Sequence, residues 1–245
     1  MNDFDKARLV AFKAGHSSYL ATGSLRFPSP LAVGLRMYDE TIQVAVGLRL
    51  GLKLCEEHTC PCGALVSARG THGLSCKRSA GRSTRHQHII DLISRVLKHC
   101  DVPVTEEPSR LCRDYGKRPD GLTLVPWQNG RCLTWDATLV DSLASSYLSA
   151  TSSLRGSAAD AAAGSKRSKY AVMMLTHIFV PVAVETLGPV NAECLRFRIK
   201  LATGSLPLPG DPRESSLYQR PSVLVQRFNM MAFRGSFIFD TDIEA

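Results

Sequence analysis

Four potential metal ligands lie within seventeen residues of this sequence: Cys60, Cys62, His72 and Cys76. Structural zinc sites hold the ion in a tetrahedron of thiolate and imidazole ligands. The spacing Cys-x-Cys followed by His-x-x-x-Cys therefore predicts a zinc knuckle in which no coordination position stays open for catalysis. Cys55 and His58 remain alternative ligands. The competing interpretation is a set of scattered reduced cysteines beside a surface histidine.

Three glycines near these ligands favour the knuckle, because Gly63, Gly70 and Gly73 suit the tight turns that it requires. The chain has 8 cysteines, and its N-terminus, MNDFDKARLVAFKAGHSS, lacks the apolar run of a secretory signal. We therefore expect an intracellular protein, nuclear or cytoplasmic, with thiols reduced and available for metal. No stretch approaches the roughly 20 apolar residues of a membrane helix, so no membrane partner is expected.

Two carboxylates are predicted to lie close together on neighbouring strands. Asp120 opens the strand-like run DGLTLVPW, and Asp136 lies in the returning run RCLTWDATLV, with the hairpin signal Gln128-Asn129-Gly130 between them. A loop centred on Gln128 would place residues 120 and 136 directly opposite each other, whereas a two-residue Asn-Gly loop would pair 136 with 123. Adjacent carboxylates repel unless a cation lies between them. The pair therefore favours a Mg²⁺ site for phosphodiester cleavage.

Two lysines would complete such a site. Lys166 and Lys169 are three residues apart and so share one face of a helix. A lysine near the metal can hold the attacking water or offset the charge that develops on the scissile phosphate. Each feature alone also fits a blander interpretation, in which Pro119-Asp120-Gly121 is a turn and the lysines are solvated. Together, and beside a knuckle, they favour a nuclease.

The elements that must position these residues fall into four predicted regions: a helical lead-in at 1–54, the CCHC zinc knuckle at 55–80, a nuclease domain at 81–204, and an irregular tail with a possible short helix at 205–245. In the lead-in, Val44, Leu48 and either Gly51 or Leu52 share one helical face. A break at Pro28-Ser29-Pro30 separates this helix from an earlier one.

The nuclease region is predicted to fold as an α/β domain, an α+β sandwich with the order helix, three strands, helix, strand. The predicted elements are a helix at about 86–99, short strands at 102–107, 120–127 and 131–140, a helix through SKYAVMMLTH, a strand at IFVPVAVET and a last helix at NAECLRFRIKLA. The Ser/Ala/Gly-rich interval at about 144–165 is predicted to be part loop and part helix.

Several segments, spanning roughly residues 40–200, resemble one known family: CPCGALVSARGTHGLSC, RSTRH, GKRPDGLTLVPW, LTWDATLVDSLASSY, KRSKY and VAVETLG. They are similar to the C-terminal part of polyproteins from site-specific non-LTR retrotransposons. In those proteins a Cys-Cys-His-Cys knuckle precedes a restriction-endonuclease-like domain of the PD-(D/E)XK type. The sequence contains no Tyr-x-Asp-Asp motif, so the resemblance also implies a truncated element that lacks the reverse transcriptase.

The resemblance implies roles for individual residues. Asp120 and Asp136 would bind Mg²⁺, and Lys166 or Lys169 would replace the lysine that a Glu-x-Lys strand carries two residues after its acid. That place holds Thr138 here, in keeping with the displaced lysines of this group. A further acid from the first helix or strand sometimes joins such sites, and the two candidates in this chain are Asp91 and Glu107.

A formal net charge of +8 favours an anionic partner. The stretch KRSAGRSTRH, residues 77–86, contains no acid, and the basic side chains expected to contact phosphates are Lys77, Arg78, Arg82, Arg85 and Arg118. The expected partner is duplex DNA, with element RNA as the alternative polyanion, and no small-molecule substrate is expected. The predicted reaction is Mg²⁺-dependent nicking at a retrotransposon target site. The alternatives are an inactive nucleic-acid-binding module and a retroelement remnant without activity.

Overall fold

A computed structural model describes residues 1–20, 36–78, 81–109, 111, 118–204 and 212–238. Its helices are α1 (Asp3–Leu20), α2 (Asp39–Leu50), α3 (His72–Ser75), α4 (Gly81–His99), α5 (Ser145–Thr151), α6 (Ser157–Lys169), α7 (Ala192–Gly204) and α8 (Pro212–Arg234). Its strands are β1 (His58–Thr59), β2 (Leu65–Val66), β3 (Val104–Glu106), β4 (Gly121–Thr123), β5 (Leu133–Val140) and β6 (Ile178–Glu185). No described helix is long and apolar enough to cross a membrane.

The protein is a mixed α/β fold built on a four-stranded sheet in the order β3-β4-β5-β6. The first three strands are antiparallel, and β6 runs parallel to β5 along all eight residues of each strand. Residues of β5 and β6 are buried almost continuously. Strands covered on both faces lack polar alternation, which explains the apolar run IFVPVAVE.

Three helices, α4, α7 and α8, cover one face of the sheet, and α6 covers the other. On one face Leu133, Trp135 and Ala137 of β5 join Val182 and Val184 of β6 in the main core, together with side chains of α4, α7 and α8. On the other face α6 lies against the sheet, where alanines of the helix meet Ala183 of β6. The polar residues Thr134 and Asp136 of β5 alternate with the core residues and so belong to this second face.

The hairpin combines both registers that the sequence suggested. Asn129 and Gly130 form a two-residue loop with positive φ at both positions, as a type I′ turn requires, and Gln128 pairs with Arg131. Strands β4 and β5 instead follow the register expected for a loop centred on Gln128. Gly121 pairs with Trp135, so the same register places residue 120 opposite residue 136. Residues 124–126 lie between these two paired segments and accommodate the difference between their registers.

Thr123 holds this irregular segment in place. Its hydroxyl donates to the carbonyl of Val125 at 2.8 Å and accepts the N–H of Leu133 at 2.9 Å. Extra residues on one strand of an antiparallel pair re-aim the side chains that follow. The irregularity therefore decides which residue stands beside Asp136.

Two helix predictions need correction. The helix expected through SKYAVMMLTH ends early: α6 stops at Lys169, and only a 3-10 turn, Met173–Leu175, follows. Helix α4 begins at residue 81, earlier than the expected start near residue 86. The interval at about 144–165, expected to be part loop and part helix, contains the short helix α5 and most of α6. The expected break at Pro28–Pro30 lies outside the described residues.

The largest correction concerns the region from 205 onward, expected to be an irregular tail with a possible short helix. It contains α8, a helix of 23 residues with Pro221 inside it. Val225 of α8 lies in the main core, whereas Ala232 and Phe233 pack with Val44 and Leu48 of α2 and with Leu74 of α3. The confirmed helical face of α2 thus packs against α8, and Gly51 ends α2 in a left-handed conformation.

Gly121 offers a direct test of the hairpin packing. A Cβ atom at this position would overlap the indole ring of Trp135, which crosses the glycine at the centre of the core. We expect Gly121→Ala to lower the free energy of unfolding by about 1–3 kcal/mol in urea titrations, because overpacking forces neighbouring groups apart.

Gly164 supplies the matched control. It lies within α6, and a Cβ atom added there would meet no neighbouring group within 4 Å. Gly164→Ala should therefore raise the free energy of unfolding by about 0.5–1 kcal/mol through helix propensity. Equal stabilities of the Gly121→Ala variant and the wild type would contradict the packing described here.

Candidate functional site

The four predicted ligands of the knuckle converge on one point. The ligand atoms of Cys60, Cys62, His72 and Cys76 all lie within 4.8 Å of one another. Cys60 Sγ is 3.7 Å from Cys76 Sγ, and Cys62 Sγ is 3.2 Å from His72 Nε2. Three thiols and one imidazole at this spacing form a group that is able to bind a metal ion.

Local backbone structure explains why these residues meet. The strands β1 and β2 form a small hairpin, and its turn is closed by hydrogen bonds from Cys60 N to Ala64 O and from Gly63 N to Cys60 O. Gly63 has a φ of 89°, which favours glycine. On the other side, the single helical turn α3 brings His72 and Cys76 together, with Cys76 N bonded to His72 O at 3.0 Å.

The two alternative ligands have other roles in the structure. Cys55 Sγ lies 3.7 Å from the carbonyl oxygens of Ser67 and Ala68, outside the cluster. His58 stacks on Phe237 at 4.2 Å between ring centroids, and its Nε2 lies 3.1 Å from Ser236 O. Both residues therefore stabilise the knuckle and its contact with the end of α8.

The environment shifts the pKa values of two thiols of this cluster in opposite directions. A hydrogen bond from the backbone N–H of Ala64 is the main cause that lowers the pKa of Cys62 to about 6. Burial raises the pKa of Cys60 to about 11. Since the thiolate is the metal-binding form, Cys62 is prepared for a cation, whereas Cys60 needs one to ionise.

A second cluster surrounds Asp136 on β5. Its carboxylate is only 2% exposed and forms an ion pair with Lys166. Lys169 Nζ lies 3.6 Å from Asp136 Oδ2, and the hydroxyl of Tyr170 donates to the same oxygen at 2.6 Å. The end of α6 thus delivers two cations and one hydroxyl to a single buried carboxylate.

Asp120 lies beside this cluster at the start of β4. Its Oδ2 accepts the backbone N–H of Ala137 at 2.6 Å, which fixes the carboxylate against β5 next to Asp136. Its Oδ1 is 3.3 Å from His86 Nε2 on α4. This hydrogen bond is the main cause that raises the pKa of His86.

A buried carboxylate fixes the position of α6. Glu185, at the end of β6, accepts the backbone N–H groups of Ala158 and Ala159 at 3.0 and 3.2 Å, and Ser142 donates to its other oxygen. A carboxylate at the N-terminus of a helix satisfies free N–H groups and favours the helix dipole. Burial raises the pKa of Glu185.

Of the two candidates for a third acid, Glu107 is hydrogen-bonded to the backbone of Asp120, whereas Asp91 lies on the surface of α4. The backbone N–H of Glu107 donates to Asp120 O at 3.0 Å, and φ at Glu107 is 43°. Asp91 accepts a hydrogen bond from Gln87 on the surface of α4. Within the described part of the chain, neither carboxylate is bonded to Asp120 or Asp136 side chains.

The predicted phosphate-contacting residues divide into exposed and tethered groups. Lys77, Arg78 and Arg118 are exposed. Arg78 nevertheless donates to the carbonyl of Pro61 at 3.1 Å, and Arg85 to that of Leu74 at 3.4 Å. The side chain of Arg82 lies outside the described residues. Arg78 and Arg85 therefore also link the knuckle to the chain that follows it.

The sequence interpretation did not assign His86 and Tyr170. Both residues lay within recognised segments, His86 in RSTRH and Tyr170 in KRSKY, but neither has a spacing that links it to a carboxylate. Only the packing of α4 and α6 against the sheet brings them to Asp120 and Asp136.

No protein-family model matches the sequence, and no curated protein is similar to it.

The His86–Asp120 contact predicts a titration that NMR can follow. We expect the Hε1 resonance of His86 to titrate above the usual pKa of about 6.5, and Asp120→Asn to lower that pKa by removing the charged acceptor. Because the folded-state pKa is raised, the stability from this contact is present below about pH 6.5 and is lost as pH rises through the folded value.

His177 is the internal control in the same spectra. Burial lowers its pKa, and its side chain is hydrogen-bonded to Thr176, so its midpoint should be the same in both proteins. An unchanged His86 midpoint in Asp120→Asn would contradict the described hydrogen bond.

Proposed function

We propose that this chain is a metal-dependent endonuclease that nicks one strand of duplex DNA. The observation that carries the proposal is the buried carboxylate of Asp136, placed beside Asp120 on neighbouring strands and contacted by Lys166 and Lys169. Paired acids with an adjacent lysine are suited to phosphodiester hydrolysis. The resemblance to retrotransposon polyproteins supports the same assignment.

The order of elements is compatible with a restriction-endonuclease-like core. The helix α4 is followed by β3, β4 and β5, then by α6 and β6, with α5 as an insertion. The acids lie on the central hairpin, β4 and β5, and the lysines on the helix that follows it. This distribution supports the idea that Lys166 or Lys169 replaces a lysine at the position of Thr138.

In the proposed site Asp120 and Asp136 would hold Mg²⁺, which supplies Lewis acidity and an activated water when bound. The backbone N–H of Ala137 and the hydroxyl of Tyr170 orient the two carboxylates. Lys166 and Lys169 are the groups that would hold the attacking water or offset charge on the phosphate. His86 restrains Asp120 from the side of α4.

The knuckle is proposed to bind a structural Zn²⁺ through Cys60, Cys62, His72 and Cys76. All four ligand positions would be filled by protein, which is the pattern of structural sites. Exposed Lys77 and Arg78 directly follow the last ligand. The knuckle would therefore present cations to the phosphate backbone of duplex DNA and position it without reading its sequence.

Nicking of supercoiled plasmid tests the proposed activity. We expect Mg²⁺-dependent conversion to open circle by the wild type and a loss of about 10²–10³-fold or more in Asp136→Asn and Lys166→Ala. The first variant removes a carboxylate that would hold Mg²⁺, and the second removes a cation that would act on the water or the phosphate. Asp101→Asn is the matched control: Asp101 is exposed with φ 55°, a conformation that Asn also tolerates, so this variant should nick like the wild type.

Three results would contradict the nuclease. Equal nicking by all variants would place the activity elsewhere or in a contaminant. Salt-sensitive DNA binding without nicking by any version would favour the inactive binding module, and neither binding nor nicking would favour the remnant.

Metal analysis tests the knuckle independently of nicking. We expect one equivalent of Zn²⁺ per chain in the wild type and in Cys55→Ser, and less than a tenth of that in Cys60→Ser, because Cys60 is a ligand and Cys55 is not. The Cys60→Ser variant should also unfold at a lower temperature. Full zinc occupancy in Cys60→Ser would show that the ligand set is wrong.

A further inference from the structure

The turn that follows α6 exposes two apolar side chains. Val172 is 81% exposed and Leu175 is 79% exposed, which places them among the most exposed large hydrophobic residues described. Single exposed apolar residues are ordinary on protein surfaces. These two, however, lie three residues apart in a 3-10 turn, where residues i and i+3 share one side. They therefore form a projecting pair, here called the apolar prong.

The prong is held firmly from beneath. Met173, between the two exposed residues, is only 4% exposed and packs with Tyr170 and Phe179. Backbone hydrogen bonds close the turn, from Leu175 N to Val172 O at 3.2 Å and from His177 N to Met173 O at 2.9 Å. The backbone of such a turn therefore has little conformational entropy to lose when the pair inserts into a partner.

The support connects the prong to the carboxylate cluster. Tyr170 packs under the turn and also donates its hydroxyl to Asp136. Only Ala171 lies between Tyr170 and Val172, so their Cα atoms are at most about 7 Å apart. The prong therefore follows directly after the residue whose hydroxyl reaches Asp136.

The charges around the prong favour a polyanion as the partner. Lys166 and Lys169 precede it on α6, and both side chains are partly exposed although they contact Asp136. Arg118, whose carbonyl oxygen lies 2.6 Å from the hydroxyl oxygen of Tyr170, is exposed. An apolar pair that follows such cations in the chain suits nucleic acid better than an apolar protein surface, which would take the cations out of water.

We propose that the apolar prong, Val172 and Leu175, inserts between stacked base pairs of duplex DNA beside the scissile phosphodiester. Apolar side chains that enter a base step unstack and kink the duplex. Such a distortion would draw one strand away from its partner and toward Asp120 and Asp136. The inference rests on the proposed nuclease function and adds how the site takes a single strand out of a duplex.

The double variant Val172→Ser/Leu175→Ser tests the prong without disturbing the core, because both side chains are exposed. Leu154→Ser is the matched control: Leu154 is 61% exposed and lies just before α6, whose 13 residues place it about 20 Å from Tyr170. Nick positions are first mapped on plasmid, and duplex oligonucleotides carrying one such position are then made fully paired or with a two-nucleotide mismatch there.

On the fully paired duplex we expect the double variant to nick at least about tenfold more slowly than the wild type. Without inserted side chains, nothing offsets the cost of unstacking the base step. On the mismatched duplex, which is already unstacked, the two proteins should nick at equal rates. Leu154→Ser should match the wild type on both. A second measurement, permanganate oxidation of thymines in duplex DNA bound with Ca²⁺ in place of Mg²⁺, should show thymines that become reactive with the wild type but not with the double variant.

The outcomes separate the prong from the nuclease. Equal nicking of paired duplex and equal permanganate patterns in both proteins would overturn the prong while the nuclease stands. A defect of the same size on paired and mismatched duplex would also overturn it, since the residues would then contribute affinity alone. Failure of the wild type to nick, with prong-dependent thymine reactivity, would refute the nuclease and retain the insertion. Loss of self-association in the double variant, with no change in DNA distortion, would assign the pair to a protein contact instead.

Discussion

The arrangement of this fold depends on one buried charge, the carboxylate of Asp136. A carboxylate that leaves water without partners costs several kcal/mol, so a strand can carry one at the centre of a sheet only if cations and hydrogen-bond donors reach it. Here Lys166, Lys169 and Tyr170 reach it from the end of α6. The helix must therefore lie at a fixed distance from the sheet. Glu185 fixes that distance by accepting hydrogen bonds from the first backbone N–H groups of α6. One buried acid is neutralised at the C-terminal end of α6, and another caps its N-terminal end.

Sequence reasoning was strongest where spacing within a short segment determines geometry. The knuckle residues meet because Cys60-x-Cys62 and His72-x-x-x-Cys76 each fit one turn of chain, and Lys166 and Lys169 share a face because they lie three residues apart on a helix. It was weakest where distant segments pack together. The hairpin tip follows the Asn-Gly rule, yet the strand register is set by the hydroxyl of Thr123 and by residues 124–126, which no local rule anticipates. The contact between His86 and Asp120 depends likewise on how α4 packs against the sheet.

Helix α8 packs against regions that the sequence interpretation treated as separate from it. A proline inside a helix removes a backbone donor and usually marks an end, so Pro221 favoured a short helix after it. The structure instead uses the long helix as a common support. Val225 lies in the main core, and Ala232 and Phe233 pack on α2 and α3. Gly73 of the knuckle lies so close to the backbone of α8 that a side chain would not fit there. The knuckle and the sheet are therefore parts of one packed unit, and the orientation of one relative to the other follows from α8.

The same close packing explains how lysines on a helix reach a carboxylate on β5. Thr138 shares a face of β5 with Asp136, and a lysine there would need no support beyond the strand itself. Lysines on α6 reach Asp136 only if the helix axis lies near the sheet. The Ser/Ala/Gly-rich interval makes this possible, because the small side chains of Ala159 and Ala163 are buried against Ala183 of β6. The interval that was predicted to be part loop and part helix thus sets the distance between the cations and the carboxylate, and that short distance requires its small residues.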